Sequence, residues 1–177
     1  MPSRRDSLTN LLHEEYLEDG LDDEMSRARR FGRDLSLLLL EPIIPERLRP
    51  DMLYVVLKSL ARTSAKTTRQ VDVGVRWGQQ LLYVLPETSE EGARVASNKI
   101  ADQFAHLNFQ DPSSEEKFPG RLRSSIVVYP RDIEDRKELL ERLRDTLKEH
   151  PVSVTPASTE TVPESSGEEA EATASET

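Results

Sequence analysis

Hydrophobic and polar positions alternate along this chain with two distinct periods. Leu12, Tyr16, Leu17, Leu21, Met25 and Ala28 recur at helical spacing with charges between them. That pattern predicts an amphipathic helix ending near Arg30, with Asp6, Ser7 or Thr9 as its cap. Leu35 to Leu40, apolar except for Ser36 and ended by Glu41-Pro42, reads as a buried strand. A second helix is predicted from Met52 to about Thr67, with Leu53, Val56, Leu57, Leu60 and Ala61 inward. Val71, Val73 and Val75 then alternate with Asp72, Gly74 and Arg76, a half-buried strand. Leu81 to Leu85 is apolar throughout, and Gly78-Gln79-Gln80 joins the two runs as a β-hairpin.

After Pro86-Glu87-Thr88 a third helix is predicted, capped by Thr88 or Ser89, with Glu90 and Glu91 in its first turn. Ala93, Ala96, Ile100, Phe104 and Leu107 form its inner face. Residues 108–120 are polar with two prolines and read as a surface loop. Leu122 to Tyr129 is a fourth strand, and Leu139, Leu140, Leu143 and Leu147 define a last helix from Ile133 to about Glu149. From Pro151 onward the chain is Ser, Thr, Glu, Ala and Pro without periodicity, so a disordered acidic tail is predicted over 151–177. Residues 1–150 then make one domain.

Charge refines this picture. The net charge is −9, but six acidic residues and no basic ones lie beyond residue 150. Removing them leaves 24 basic against 27 acidic residues, or −3, so the folded part is nearly neutral. A nucleic-acid binder is expected to have a basic body, and this chain has none. There is no Cys, hence no disulfide framework and no thiolate metal site. The N-terminus lacks the apolar stretch of a signal peptide, and runs such as Leu37 to Leu40 are too short to span a bilayer. The expectation is a cytoplasmic protein with no membrane segment. The cluster Arg27, Arg29, Arg30 and Arg33 reads as a solvated helix end in which cations face the negative end of the dipole.

Several of these stretches share their order and motifs with one family. Arg69, Asp72, Arg76, Trp77, Gly78 and Pro86-Glu87-Thr88 stand where the signature hairpin R-x-x-D-x-x-x-R-[YF]-G-G-[DE]-E-F and its Pro-Glu-Thr stop would place them. Asp6-x-Leu8-Thr9-x-Leu11 is similar to the D-x-L-T-G-L opening, and Ser124 to Pro130 to the S-I-G-V-A-x-Y-P strand. Over residues 6–149 the chain therefore resembles the GGDEF, or diguanylate cyclase, domains. The resemblance implies an α/β fold with a mixed, largely antiparallel sheet flanked by helices, as in nucleotidyl cyclases and palm-type polymerases.

The chemistry of that family is not carried over. Gly78-Gln79-Gln80-Leu81 replaces the signature core, one residue shorter and with amides for both carboxylates. In active members the end of the first strand supplies metal-binding carboxylates, followed by residues that read guanine. Here only Glu41 stands there, and Pro42, Pro45 and Pro50 stiffen a shorter loop. A cation opposite a triphosphate needs anionic oxygen ligands, which an amide does not provide. The expectation is a degenerate, non-catalytic regulatory or interaction module of bacterial signalling, with no catalytic residue, no metal ligand and no cofactor. Its partner would be another protein or a second copy of itself. The alternative follows from Arg69-Gln70-Val71-Asp72, whose R-x-x-D pattern forms a cyclic di-GMP site in the family. Arg forks and a carboxylate suit phosphate and guanine edges. Residues three apart on a strand face opposite ways, so a joint site requires Arg69 to lie in the preceding turn.

Overall fold

Strand β1 (Leu35–Ile43) is buried at six successive positions, Leu35 to Leu40. A strand apolar on both faces needs neighbours on both edges and layers above and below. The computed structural model, which describes residues 4–149, supplies all four. β3 (Gln80–Pro86) and β6 (Arg121–Tyr129) flank β1, and β2 (Val73–Trp77) pairs outside β3. The order is β2-β3-β1-β6, with every ladder antiparallel.

Helices α1 (Tyr16–Phe31) and α4 (Arg136–Glu149) cover one face, packing on Leu37, Leu39, Leu82, Val84, Val127 and Tyr129. Helices α2 (Met52–Ala65) and α3 (Glu90–Ala105) cover the other, on Leu38, Leu40, Leu81, Tyr83 and Leu85. The alternation of odd and even positions along β1 and β3 thus splits the core into two layers. This is the expected α/β architecture. Helix α3 carries the expected cap, with the Ser89 hydroxyl accepting from the Gly92 N–H at 3.2 Å. Helix α1 ends at Gly32, whose left-handed φ of 59° suits a residue without Cβ, and Arg33 N–H closes the turn on Ala28 O.

Three expectations need correction. The first helix starts at Tyr16, not near Leu12, and Asp6 does not cap it. The Asp6 carboxylate accepts from the Thr9 N–H (2.9 Å) and hydroxyl (2.8 Å), closing a separate turn. The chain then lies along the open edge of β2, where Leu12 N–H donates to Gly74 O and Arg76 N–H donates to Leu12 O. The edge of a sheet has free backbone groups, and pairing with them outweighs one more helical turn.

Residues 108–120 are not a plain loop. Strands β4 (Asn108–Gln110) and β5 (Lys117–Pro119) pair, and Phe109 and Phe118 stack at 5.6 Å while Phe109 meets Phe104 at 5.7 Å. Burying two aromatics offsets the ordering of so polar a segment. Finally, Val71 lies in the turn before β2 and Leu107 beyond α3, both exposed, while Met52 rather than Leu53 is buried at the start of α2. The tail expected from residue 151 lies outside the described residues. Among the described residues no helix is long and apolar enough to cross a membrane.

Candidate functional site

The two places singled out by the sequence lie at opposite ends of the β2–β3 hairpin. At its open end, Arg69 and Asp72 flank a turn and β2 begins only at Val73. Arg69 therefore lies in the preceding turn, and the two side chains do meet. Asp72 Oδ2 accepts from the Arg69 backbone N–H at 2.6 Å, and the Arg69 guanidinium reaches Asp72 Oδ1 at 3.0 Å. The same guanidinium donates to Pro86 O (2.9 Å) and Thr88 Oγ1 (2.6 Å). The Asp72 side chain is only 4% exposed, whereas that of Arg69 is 53% exposed. The two motifs R-x-x-D and Pro-Glu-Thr are thus one hydrogen-bonded clasp joining the start of β2 to the end of β3.

A cleft of about 280 Å³ opens beside this clasp. Arg27, Arg33 and Arg69 line it together with Phe31 and Val71, which are 62% and 61% exposed. The arginines at the end of α1 are exposed, as expected of a solvated helix end, and two of them also meet side chains. Arg29 pairs with Glu134 at 3.0 Å and lies over the Tyr129 ring, and Arg27 stands 3.8 Å from Glu24.

At the closed end, Gly78 (φ 65°) and Gln79 connect the strands in two residues. A first central residue at positive φ is what glycine supplies in such turns. Trp77 pairs with Gln80, and Glu41 pairs with Arg123. All four side chains lie on the α1/α4 face, in the row beyond Leu39 and Leu82. Arg123 Nε donates to Glu41 Oε2, and Gln80 Nε2 donates to Glu41 Oε1 at 3.0 Å. The Arg144 guanidinium lies 3.4 Å from the centre of the Trp77 ring, and burial pulls its pKa down while Glu14 opposes this. Gln80 Oε1 is buried with no hydrogen-bond partner among the described residues.

A third pair ties the N-terminal turn to the hairpin. Arg76 donates to Asp6 Oδ2 at 2.8 Å. Burial works against the charge on Asp6, but the hydrogen bonds from Thr9 and Arg76 outweigh it and hold the carboxyl below its ordinary range.

A divalent cation implied by the fold does not suit this donor set. Glu41 is the one carboxylate in the row, it is already matched by the Arg123 guanidinium, and Gln80 brings a neutral amide. Among the described residues no group of three or more His, Asp or Glu could hold a metal ion. Arg123 was not foreseen from the sequence. Its only signal was two arginines, Arg121 and Arg123, at alternating positions at the start of an apolar strand, and the residue opposite them depends on register.

Comparison with known proteins agrees with this architecture. No family model matches the chain. The chain is 34% identical over 109 residues to the diguanylate cyclase DgcP of Pseudomonas aeruginosa; the match covers 59% of this chain and 16% of that protein. Among solved structures, the diguanylate cyclase SiaD of Pseudomonas aeruginosa, in complex with its activator SiaC, superposes with a TM-score of 0.73 at 24% identity. That alignment covers 83% of this chain and 57% of SiaD. The GGDEF domain of DgcB from Caulobacter crescentus, in complex with cyclic di-GMP, superposes at 0.74 and 15% identity, covering 84% and 90%. The fold is that of the GGDEF domains, and the chain carries a GGDEF-like domain. It spans only a small part of the curated relative it matches.

Proposed function

We propose that this GGDEF-like domain is non-catalytic and acts in cyclic di-GMP signalling by binding another protein or a second copy of itself. The observation that supports it is the Glu41–Arg123 pair. It leaves no net negative charge at the end of β1, and no second carboxylate stands in the row. Phosphoryl transfer on a nucleotide relies on metal ions to neutralise developing charge, and these side chains offer them no anionic seat. The hairpin, the clasp and the two core layers meanwhile keep the frame intact, so function resides in surfaces. The test is incubation of the purified chain with GTP and Mg²⁺ or Mn²⁺, with separation of the products, alongside its molar mass in solution by light scattering. Formation of cyclic di-GMP at a rate above the buffer blank overturns the reading. A monomer that captures no protein in a pull-down removes its interaction half.

A second reading is that of a cyclic di-GMP receptor using Arg69 and Asp72. What favours it is the juxtaposition of the two side chains at an exposed turn beside a cleft bearing two further arginines. The DgcB domain was solved with that ligand. Calorimetric titration of cyclic di-GMP into the full chain tests it, with Arg69→Ala as control. Because Arg69 also holds the clasp, the control must show unchanged circular dichroism before loss of heat is read as loss of a ligand contact. Absence of heat with the folded wild type ends this reading.

A further inference from the structure

We propose that Arg123 is a fixed internal counter-cation that keeps divalent ions out of the Trp77–Gln80–Glu41–Arg123 row. The proposal deepens the non-catalytic reading and concerns the same residues. Glu41 is 22% exposed and receives two donors, Arg123 Nε and Gln80 Nε2. Its charge is therefore matched within the sheet, by a residue that the antiparallel register puts directly opposite. A guanidinium cannot be deprotonated at accessible pH, so this counter-ion is permanent. A divalent ion on Glu41 would sit within contact distance of a positive charge, and repulsion at that range in a partly buried site is large.

Gln80 completes the argument from the other side. Its Nε2 is spent on Glu41, and its Oε1 is buried without a donor among the described residues. Neither end of the amide depends on a positive neighbour. A carboxylate at position 80 would face Glu41 across a gap of about 3 Å, the separation of two oxygens that share a small divalent ion. With Arg123 present, the guanidinium balances one of those two charges. With Arg123 shortened, two bare carboxylates repel each other unless a cation joins them. The row is then two substitutions from a cation site, and Arg123 is the residue that blocks it.

The test uses the full chain as wild type, Gln80→Glu, Arg123→Ala and the double variant Gln80→Glu/Arg123→Ala. Free Mn²⁺ is followed by electron paramagnetic resonance, and thermal unfolding is recorded with Mn²⁺ and with chelator. The wild type is expected to show no saturable binding up to about 1 mM Mn²⁺, and the double variant one site bound at least about tenfold more tightly. Mn²⁺ raises the Tm of the double variant and chelator reverses it, while the wild-type Tm moves in neither case. If the alanine variant does not fold, Gln80→Glu/Arg123→Gln removes the same charge with more of the side chain kept. Saturable wild-type binding that Glu41→Gln removes overturns the proposal. So does a folded double variant that binds no better than wild type. Cyclic di-GMP formation by the wild type is a separate result, which strikes the functional reading and not this one.

Discussion

The two ends of the β2–β3 hairpin keep their charges quiet in opposite ways. At the open end the family motif survives, and its residues are turned onto one another and onto the backbone. Asp72 is almost fully buried, and Arg69 binds Asp72, Pro86 O and Thr88 Oγ1 together. At the closed end Gly78-Gln79-Gln80-Leu81 carries no carboxylate, and a residue from a distant strand, Arg123, balances Glu41. The survival of a motif is therefore no measure of a retained ligand site. R-x-x-D has a sufficient structural reason to persist here, because it joins the start of one strand to the end of the next.

If that contrast holds, truncation at the open end costs more than truncation at the closed end. Arg69→Ala leaves a buried carboxylate with one backbone N–H and is expected to cost about 3 kcal/mol, read from urea unfolding at pH 7. A cost no greater than that of Arg123→Ala would break the comparison. The pair between Asp6 and Arg76 is the next largest. Asp6→Asn is expected to cost about 2 kcal/mol at neutral pH. Its sign with pH is definite. The folded carboxyl titrates below its ordinary range, so its contribution is complete above that range and is lost as pH falls through the lower folded value. Wild type and Asp6→Asn should then converge in stability on acidification, and a gap that stays constant down to strongly acid solution would refute the assignment.

Arg123→Ala, with both partners partly exposed, is expected to cost about 1 kcal/mol, and the loss should shrink in high salt. A cost above that of Arg69→Ala would reverse the ranking of the two ends. The smallest effect is at Arg144, which stacks on Trp77 and costs about 0.5–1 kcal/mol when cut to Ala. Trp77 is the sole tryptophan of the chain, so its emission reports the closed end alone. Arg144→Ala should shift that emission to the red as the ring meets water, whereas Arg69→Ala should leave it in place in the folded protein. A shift in both would mean that the two ends are mechanically coupled.

Local pattern and long-range pairing divide the molecule unequally. Helices α2, α3 and α4 were legible from their helical period and β2 from its alternation, while the short apolar runs of β1 and β3 were legible from their length and the turn residues that bound them. The Ser89 cap was legible for the same local reason. The turn at Asp6 was not, because its alternative to a helical turn is the edge of β2, more than 60 positions away in sequence. Nor was the β4–β5 hairpin, since Phe109 and Phe118 are isolated among polar residues and gain their value only by stacking on each other and, through Phe109, on Phe104. For the candidate site, contact between Arg69 and Asp72 was set as a condition, which the turn meets. Their engagement with Pro86 and Thr88 was not foreseen, because it depends on the return of the hairpin.

By itself the sequence determined the order of the main-sheet strands and the helices, the two-faced burial of β1 and β3, and the absence of any carboxylate from Gly78 to Leu81. These follow from residue type and spacing, which need no third dimension. Only the tertiary structure decided which charges neutralise which. The partner of Glu41 is set by the register between β1 and β6, and a shift of one residue would put Arg123 on the other face. That register is held by the packing of both apolar layers against four helices, a property of the whole sheet that no segment of the chain contains.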